Sequence, residues 1–299
     1  MMQCGRRAVS LSFVDIIAGF QEVTRRMLVV RGVRSKWVDV AGQSLHHYEL
    51  RGSGKGPPVV LVHGLGGAAN GFARVFFGLA RRFERVLAVD LPGHGFSPEF
   101  CGGPVCVRSQ YEVLAAYCRK VVGEPAFVVG NSLGGAMSVS LAAEYPELVK
   151  ALGLVAPAGA DVGHERIREV LEVMDVRTTE QARQLTQRLF HQPPWLAMTF
   201  AGVLRNVYAT PAVRALSADA LATREVLTSE MLGRLSMPVL CVWGGSERLL
   251  PPESLDFFRS HLPAHAHVKE VPGFGHLPQV ERPNELVSEL LQFADAAGL

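Results

Sequence analysis

The stretch Gly130-Asn131-Ser132-Leu133-Gly134 decides the fold. It joins the apolar run Ala126-Phe127-Val128-Val129 to a segment of small, helix-compatible residues. A short, uncharged run of this kind is typical of a strand buried on both faces of a parallel sheet. A serine flanked by glycines at a strand-to-helix junction can occupy a sharp turn that exposes its hydroxyl at the carboxyl end of the sheet. The pattern therefore predicts a nucleophilic serine, provided that the rest of the chain supplies a base, an acid and an oxyanion hole.

Predicted strands and helices alternate on both sides of this junction. Such alternation favours an α/β fold with a mostly parallel sheet and right-handed crossovers. The predicted strands cover residues 35–40, 43–50, 57–62, 85–89, 126–129, 149–156, 238–243 and 266–271. The predicted helices between and after them cover residues 70–82, 111–122, 135–145, 253–261 and 284–296.

Residues 158–237 interrupt this alternation, because they contain predicted helices and no convincing strand. A helical insertion between two strands is best explained as a lid over the strand ends, where ligands bind in open α/β folds. We therefore expect an N-terminal amphipathic helix (1–34), an α/β core (35–157 and 238–299) and a helical cap (158–237). The helices expected in the cap cover residues 165–174, 179–190 and 195–207.

Two loops after later strands supply a candidate base and a candidate acid. His276 lies in the glycine-containing loop Pro272-Gly273-Phe274-Gly275-His276, and Glu247 follows the strand predicted over 238–243. A serine hydroxyl is a poor nucleophile until a base takes its proton, and the base needs an acid to set its tautomer. The order Ser132, Glu247, His276 is the order found with the G-x-S-x-G motif. Asp161, after the preceding strand, is the alternative acid.

Backbone N–H groups of Leu65 and Leu133 are the predicted oxyanion hole. Leu133 follows the nucleophile, and Leu65 lies in the glycine-rich turn after the third predicted strand. The remaining polar side chains near these motifs are interpreted as structural or surface groups: His46, His47, Asp90, His94, Asn131, His265 and His267.

Together these motifs resemble the α/β-hydrolase superfamily over about residues 35–297. The shared features, in family order, are the His63-Gly64 turn, the Asp90-Leu91-Pro92-Gly93-His94-Gly95 loop, the Ser132 elbow, the Glu247 loop and the Gly275-His276 loop. The resemblance implies a mostly parallel, eight-stranded sheet with helices on both faces, an inserted helical cap, and hydrolysis through an acyl-enzyme without a cofactor or metal. One departure is Glu247, because the family usually has aspartate there.

The branch of the superfamily is less sharply indicated. Ser132 disfavours the dehalogenases and epoxide hydrolases, which use aspartate as the nucleophile. The elbow and Glu144-Tyr145-Pro146 also resemble carbon–carbon bond hydrolases of ring-cleavage products, but these usually carry an aromatic residue where this chain has Leu277. The tract Leu154-Val155-Ala156-Pro157-Ala158-Gly159 and the apolar lid segment look similar to monoacylglycerol-lipase-like esterases.

We therefore expect a serine carboxylesterase whose partner is a small apolar ester, such as a monoacylglycerol or another short-to-medium acyl ester. A carbon–carbon bond hydrolase and a slow hydrolase-fold receptor of a small molecule are the alternatives.

Composition and the N-terminal segment bear on partners and location. A net charge of +2 does not indicate a nucleic-acid partner, and five cysteines without a C-x-x-C pair indicate reduced thiols in the cytoplasm. Apolar residues near the N-terminus step by four and three along one helical face: Val9, Phe13, Ile16, Phe20, Val23 and Met27. This face predicts packing on the domain, a dimer contact or a peripheral contact with a membrane surface.

Overall fold

Eight strands form one sheet in the computed structural model, which describes residues 13–223 and 226–299. The fold-class prediction is confirmed, since most neighbouring strands are parallel and helices cover both faces of the sheet. The strands are β1 (Arg34–Val40), β2 (Gln43–Arg51), β3 (Val59–Val62), β4 (Arg85–Val89), β5 (Ala126–Asn131), β6 (Val149–Val155), β7 (Val239–Gly244) and β8 (His267–Val271).

The strand order across the sheet is β1-β2-β4-β3-β5-β6-β7-β8. β2 is antiparallel to both of its neighbours, and every pair from β4 to β8 is parallel. The hairpin between β1 and β2 turns at Ala41 and Gly42, whose φ angles of 52° and 80° suit a type I′ turn. The carboxyl ends of the parallel strands therefore share one edge, where the loops with the predicted site residues meet.

Helices precede, follow and separate these strands. Within the described residues they are α1 (Phe13–Val30), α2 (Phe76–Leu79), α3 (Val107–Tyr117), α4 (Leu133–Glu144), α5 (His164–Met174), α6 (Thr179–Leu189), α7 (Trp195–Thr199), α8 (Leu204–Tyr208), α9 (Pro211–Thr223), α10 (Ser229–Gly233), α11 (Glu253–His261), α12 (Pro278–Glu281) and α13 (Pro283–Ala296).

The hydrophobic core has one layer on each face of the sheet. Side chains alternate along a strand, so Val60 and Val62 of β3 join the layer under α3, α4 and α11, whereas Leu61 joins the layer under α2 and α13. Met137 of α4 and Leu290 of α13 are almost completely buried in these two layers. Burying one such side chain contributes about 1.5–3 kcal/mol. Both faces are thus occupied, which leaves the strand ends for a ligand.

Residues 158–237 contain α5 to α10 and, in their described part, no strand. Their helices have a third hydrophobic cluster, which includes Leu185, Leu189 and Phe190 near α6 and Tyr208 of α8. α10 contacts α4, and its Leu232 is buried in the core of the sheet. The segment is therefore anchored to the core at its end and carries its own apolar centre.

The helix predicted over residues 70–82 is wrong in extent. The chain forms a 3₁₀ turn at Ala69–Phe72 and only one α-helical turn in α2. Gly71 and Gly78 weaken a continuous helix. A Cβ atom at Gly78 would also lie 2.7 Å from a methyl group of Val287, so α2 and α13 pack too closely for a larger residue. The predicted helix 195–207 is likewise split into α7, a 3₁₀ turn at Ala201–Val203, and α8.

The N-terminal helix is described from Phe13, and the first twelve residues of the predicted segment lie outside the described residues. Leu28 is buried in the core, but Phe20, Val23 and Met27 are 70%, 56% and 60% exposed. These three members of the predicted apolar stripe therefore do not pack on the rest of the described chain. None of the described helices is both long and apolar enough to span a bilayer.

Candidate active site

Ser132 occupies a strained turn between β5 and α4. Its φ of 55° lies in the left-handed region, which non-glycine residues adopt at a cost of about 1–3 kcal/mol. A Cβ atom at Gly130 would lie 2.3 Å from the carbonyl oxygen of Gly134, and one at Gly134 would lie 2.3 Å from that of Val62. Both glycines are required because the turn is this tight. The backbone turn at Ser132 is as tight as the sequence motif predicts.

The side chains of His276 and Glu247 form a buried pair. The distance from His276 Nδ1 to Glu247 Oε2 is 2.7 Å, and the two side chains are 3% and 2% exposed. Glu247 Oε1 accepts hydrogen bonds from the backbone N–H groups of Leu249 (2.7 Å) and Leu250 (3.0 Å). Both carboxylate oxygens are thus occupied, and the imidazole presents Nε2 on its other side.

The pKa of Glu247 lies below its usual value. Burial acts to raise this pKa, but the charge of His276 and the hydrogen bonds from His276, Leu250 and Leu249 outweigh it. The carboxyl therefore stays ionised at neutral pH and orients the Nδ1–H tautomer of the imidazole.

The alternative acid, Asp161, is exposed and accepts only a long hydrogen bond of 3.4 Å from the backbone N–H of Gly163. Its side chain makes no hydrogen bond to His276, whose Nδ1 is taken by Glu247. The geometry thus favours Glu247 over Asp161.

Asn131 connects the strand of the nucleophile to the loop of the base. Its Nδ2 donates hydrogen bonds of 3.0 Å to the backbone carbonyls of Val155 and His276. Its Oδ1 accepts one of 3.0 Å from Gln279 Nε2. The sequence interpretation of Asn131 as loop structure missed this link, because its partner in the base loop is 145 residues away. Its position directly before Ser132 was the available signal.

The turn after β3 carries the predicted second oxyanion donor. Among the described residues, the backbone N–H groups of Leu65 and Leu133 have no acceptor. A Cβ atom at Gly64 would lie 2.9 Å from Ser132 Cβ and 3.5 Å from Ser132 Oγ, so this backbone passes directly beside the nucleophile. Two free N–H groups near a nucleophilic hydroxyl are the arrangement that stabilises an oxyanion.

His63 holds this turn in place. Its Nδ1 is 2.9 Å from the carbonyl oxygen of Gly64, and its Nε2 accepts a 3.1 Å hydrogen bond from the backbone N–H of Leu91. These partners require the Nδ1–H tautomer. Burial lowers the pKa of His63, so the ring stays neutral and the turn keeps both hydrogen bonds at neutral pH.

Glu281 joins the cap to the loop of the base. Its Oε2 accepts hydrogen bonds from the backbone N–H groups of His191 (3.0 Å) and Gly275 (3.2 Å), and its Oε1 accepts one from Gln192 (2.8 Å). His191 Nδ1 is also 2.7 Å from the hydroxyl of Ser246, the neighbour of Glu247. The segment after α6 is therefore hydrogen-bonded to the loop of His276 through Glu281 and to the loop of Glu247 through Ser246. The sequence carried no signal for this contact.

Asp90, His46 and His47 make structural hydrogen bonds, as their interpretation from the sequence expects. Asp90 accepts hydrogen bonds from the backbone of Ala69 (2.7 Å) and Phe96 (3.2 Å), and its Oδ2 lies 2.7 Å from His46 Nδ1. The Nδ1 atom of His47 lies 2.6 Å from the hydroxyl of Tyr117. The described residues contain no cluster of three or more side chains that could hold a metal ion.

Apolar side chains of the cap cover the site. Leu65, in the turn after β3, and Leu277, directly after His276, pack against the cap cluster that contains Tyr208. Ser132 and His276 are only 8% and 2% exposed. A separate groove of about 970 Å³ lies between α5, α6 and the Glu247 loop, but neither Ser132 nor His276 lines it. Ser132 and His276 therefore lie outside this groove.

The chain is similar to known lipases and esterases over most of its length. The lipase 1 of Psychrobacter immobilis is 28% identical over 263 residues, which cover 82% of this chain and 79% of that protein. The pimeloyl-[acyl-carrier protein] methyl ester esterase of Nitrosomonas europaea is 28% identical over 249 residues, covering 79% and 95%. A solved bacterial membrane phospholipase A superposes with a TM-score of 0.80 at 28% identity, covering 95% and 92%.

These similarities support an ester-hydrolysing enzyme. The profile of the α/β hydrolase family matches residues 59–290, which include Ser132, Glu247, His276 and the turn after β3. The chain therefore belongs to the α/β hydrolase family.

Proposed function

We propose that the chain hydrolyses carboxylic esters through an acyl-enzyme on Ser132, with His276 as base and Glu247 as its acid partner. The observation that carries the proposal is the 2.7 Å hydrogen bond between His276 and Glu247, in a loop that Asn131 ties to the elbow. The relatives named as a lipase, a methyl ester esterase and a phospholipase A support the same reaction class.

In the first half of the reaction, Ser132 Oγ attacks the ester carbonyl while His276 Nε2 takes its proton. Glu247 holds the imidazole and stabilises the imidazolium that forms. The carbonyl oxygen becomes an oxyanion and accepts hydrogen bonds from the N–H groups of Leu65 and Leu133, each worth about 3–4 kcal/mol. The carbon–oxygen bond to the alcohol then breaks, and His276 donates the proton to the departing oxygen.

In the second half, water replaces the alcohol. His276 Nε2 takes a proton from the water as its oxygen attacks the acyl carbonyl, and the same two N–H groups stabilise the new oxyanion. The bond to Ser132 Oγ breaks, the serine regains its proton, and the carboxylic acid leaves. Atoms and charges balance without a cofactor.

The substrate we propose is an ester with an apolar acyl group. Leu65 follows Gly64, which adjoins Ser132, and Leu277 follows His276; both leucines pack against the apolar cap cluster. An apolar lining of this kind suits hydrocarbon better than a charged group. The aliphatic Leu277, rather than an aromatic residue, follows the base. These features favour an esterase or lipase over a carbon–carbon bond hydrolase.

The test is turnover of p-nitrophenyl esters of increasing acyl length by the wild type, Ser132→Ala and a matched control, Ser140→Ala. Ser140 lies on the same helix, outside the loops of the site. We expect the wild type and the control to turn over esters, and Ser132→Ala to lose at least about a thousandfold in kcat. Equal activity of Ser132→Ala, or no turnover of any ester by the wild type, would overturn the proposal.

A further inference from the structure

An apolar stripe on α1 is exposed. Phe20, Val23, Met27 and Val30 are spaced by three and four residues, which places them on one side of the helix, and they are between 56% and 87% exposed. Leu28 anchors a different side of the same helix in the core. A stripe of large apolar side chains that the described chain leaves uncovered indicates a contact with something else.

A second exposed apolar group lies on the cap beside this helix. Trp195, Leu196 and Phe200 are 73%, 50% and 54% exposed. The turn Ala201–Val203, which directly follows Phe200, contacts α1. Two elements far apart in the sequence thus present large apolar side chains on adjoining parts of the surface, which we call the docking surface.

The charges around the docking surface are basic. From residue 18 to residue 34 the chain has four arginines and one acidic residue, Glu22. Arg25 Nε and Arg26 Nε lie 2.6 Å and 2.7 Å from the two carboxylate oxygens of Glu22. The three side chains together therefore carry a net charge of one positive unit. Residues 193–207 carry one charged side chain, Arg205. Apolar side chains rimmed by arginine are the composition that binds anionic lipid surfaces.

A second copy of this helix fits the same stripe poorly. The seven-residue spacing of Phe20 and Met27 would allow a coiled-coil pair, but the charged residues that flank the seam are Arg26 and Arg31. In a parallel pair these two arginines would face each other across the interface and repel. A pair of α1 helices would also leave Trp195 and Phe200 uncovered, since they belong to the cap.

We propose that the docking surface binds the surface of an anionic phospholipid bilayer, with the side chains of α1 and α7 in the interface. The inference deepens the proposed function, on which its link to substrate rests. α1 also contacts the turn Ala69–Phe72, which follows the oxyanion turn of Leu65. Binding through the docking surface would bring the bilayer close to the oxyanion turn. The apolar ester substrates would then come from the lipids of that bilayer.

The test is co-flotation of the full-length protein with vesicles of phosphatidylcholine, with and without phosphatidylglycerol. Val23→Glu and Val29→Glu make a matched pair: both valines are exposed, at 56% and 44%, and lie about 120° apart around α1. We expect the wild type to float with the anionic vesicles and to be released by salt. Val23→Glu should bind about tenfold more weakly, and Val29→Glu should bind like the wild type.

The cap is tested by the double substitution Trp195→Ser with Phe200→Ser, which we also expect to weaken flotation. Failure of the wild type to float, or equal loss in Val23→Glu and Val29→Glu, would overturn the proposal. So would a wild-type dimer that ignores vesicles and becomes monomeric in Val23→Glu, measured by analytical ultracentrifugation.

Hydrolysis of a soluble short-chain ester without vesicles is measured on the same samples. Flotation without Ser132-dependent hydrolysis would reject only the proposed function, and hydrolysis without flotation would reject only the docking.

Discussion

The side-chain amide of Asn131 donates a 3.0 Å hydrogen bond to the backbone carbonyl of His276. The residue before the nucleophile therefore holds the loop that carries the base. Because the same side chain also binds Val155 and Gln279, it fixes the distance between two loops that reach the edge of the sheet independently.

Asn131→Ala should lower activity by loosening the loop of the base. It removes three hydrogen bonds and leaves the amide of Gln279 and the carbonyl of His276 without this partner. We expect kcat to fall about 10–100-fold with little change in KM, since misplacement of a reacting group mainly affects the chemical step. Steady-state kinetics with a p-nitrophenyl ester measure this, with the exposed Asn284→Ala as control. A kcat equal to that of the control would show that the loop does not need Asn131.

Glu247→Gln should abolish most turnover, because a neutral amide neither stabilises the imidazolium nor enforces the Nδ1–H tautomer. The expected loss in kcat is about three to four orders of magnitude. Asp161→Asn, the same change at the exposed alternative acid, should leave kcat within about twofold. The assignment of the acid would be reversed by an active Glu247→Gln beside an inactive Asp161→Asn.

Glu281→Ala should weaken the connection between the cap and the base loop. Three backbone N–H groups, those of His191, Gln192 and Gly275, would lose a charged acceptor. A hydrogen bond to a charged group typically contributes about 1.5–3 kcal/mol to stability. We expect a lower midpoint in urea unfolding and a fall in kcat larger than any change in KM.

The conservative change Glu281→Gln keeps an oxygen acceptor and should recover part of both effects. Glu285→Ala, which removes a surface carboxylate paired with Arg282, is the control. If Glu281→Ala lost stability but kept its full kcat, the contact would serve the fold alone.

Gly64→Ala should block the site without unfolding the protein. The added methyl carbon would lie 2.9 Å from Ser132 Cβ and 3.2 Å from the carbonyl oxygen of Asn131, so the oxyanion turn must shift. We expect kcat to fall at least about a hundredfold, as when an oxyanion donor is lost. Gly71→Ala, where a Cβ atom meets nothing within 4 Å, should remain active. Equal kinetics for the two alanine variants would contradict this geometry.

Stability should decline in mild acid because of buried neutral histidines. Burial lowers the pKa of His94 to about 4, and its Nδ1 lies 3.0 Å from the carbonyl oxygen of Pro92. The unfolded chain takes up this proton near pH 6.5 and the folded chain only near pH 4, so the free energy of unfolding falls as pH drops through that window. A full shift of this size corresponds to about 3 kcal/mol.

Urea unfolding of the wild type and of His94→Gln at pH 7.5 and pH 5 measures how much His94 contributes to the pH dependence of the free energy of unfolding. The difference between the two pH values should be smaller in the variant, because it lacks the proton that only the unfolded state binds. An identical pH dependence in both proteins would mean that His94 is protonated equally in the folded and unfolded chain.

Local patterns were sufficient for most of the fold. The runs of β3, β5 and β7 are short and apolar, which predicts buried strands. Glycines on both sides of a serine at a strand-to-helix junction predict a tight turn. The helix predicted over 70–82 was wrong in extent because Gly71 and Gly78 weaken a continuous helix. The close packing of Gly78 against Val287 of α13 depends on a distant part of the chain.

The sequence alone determined the elbow of Ser132 and the order of serine, acid and base, because these depend on short motifs at strand ends. It left open which carboxylate serves His276, since Glu247 and Asp161 both follow strands. Only the tertiary structure distinguishes the two carboxylates, by burying Glu247 against the imidazole and leaving Asp161 exposed. The links through Asn131 and Glu281, and the exposure of the α1 stripe, also depend on contacts between distant parts of the chain. Such contacts arise from packing in three dimensions, which residue spacing does not encode.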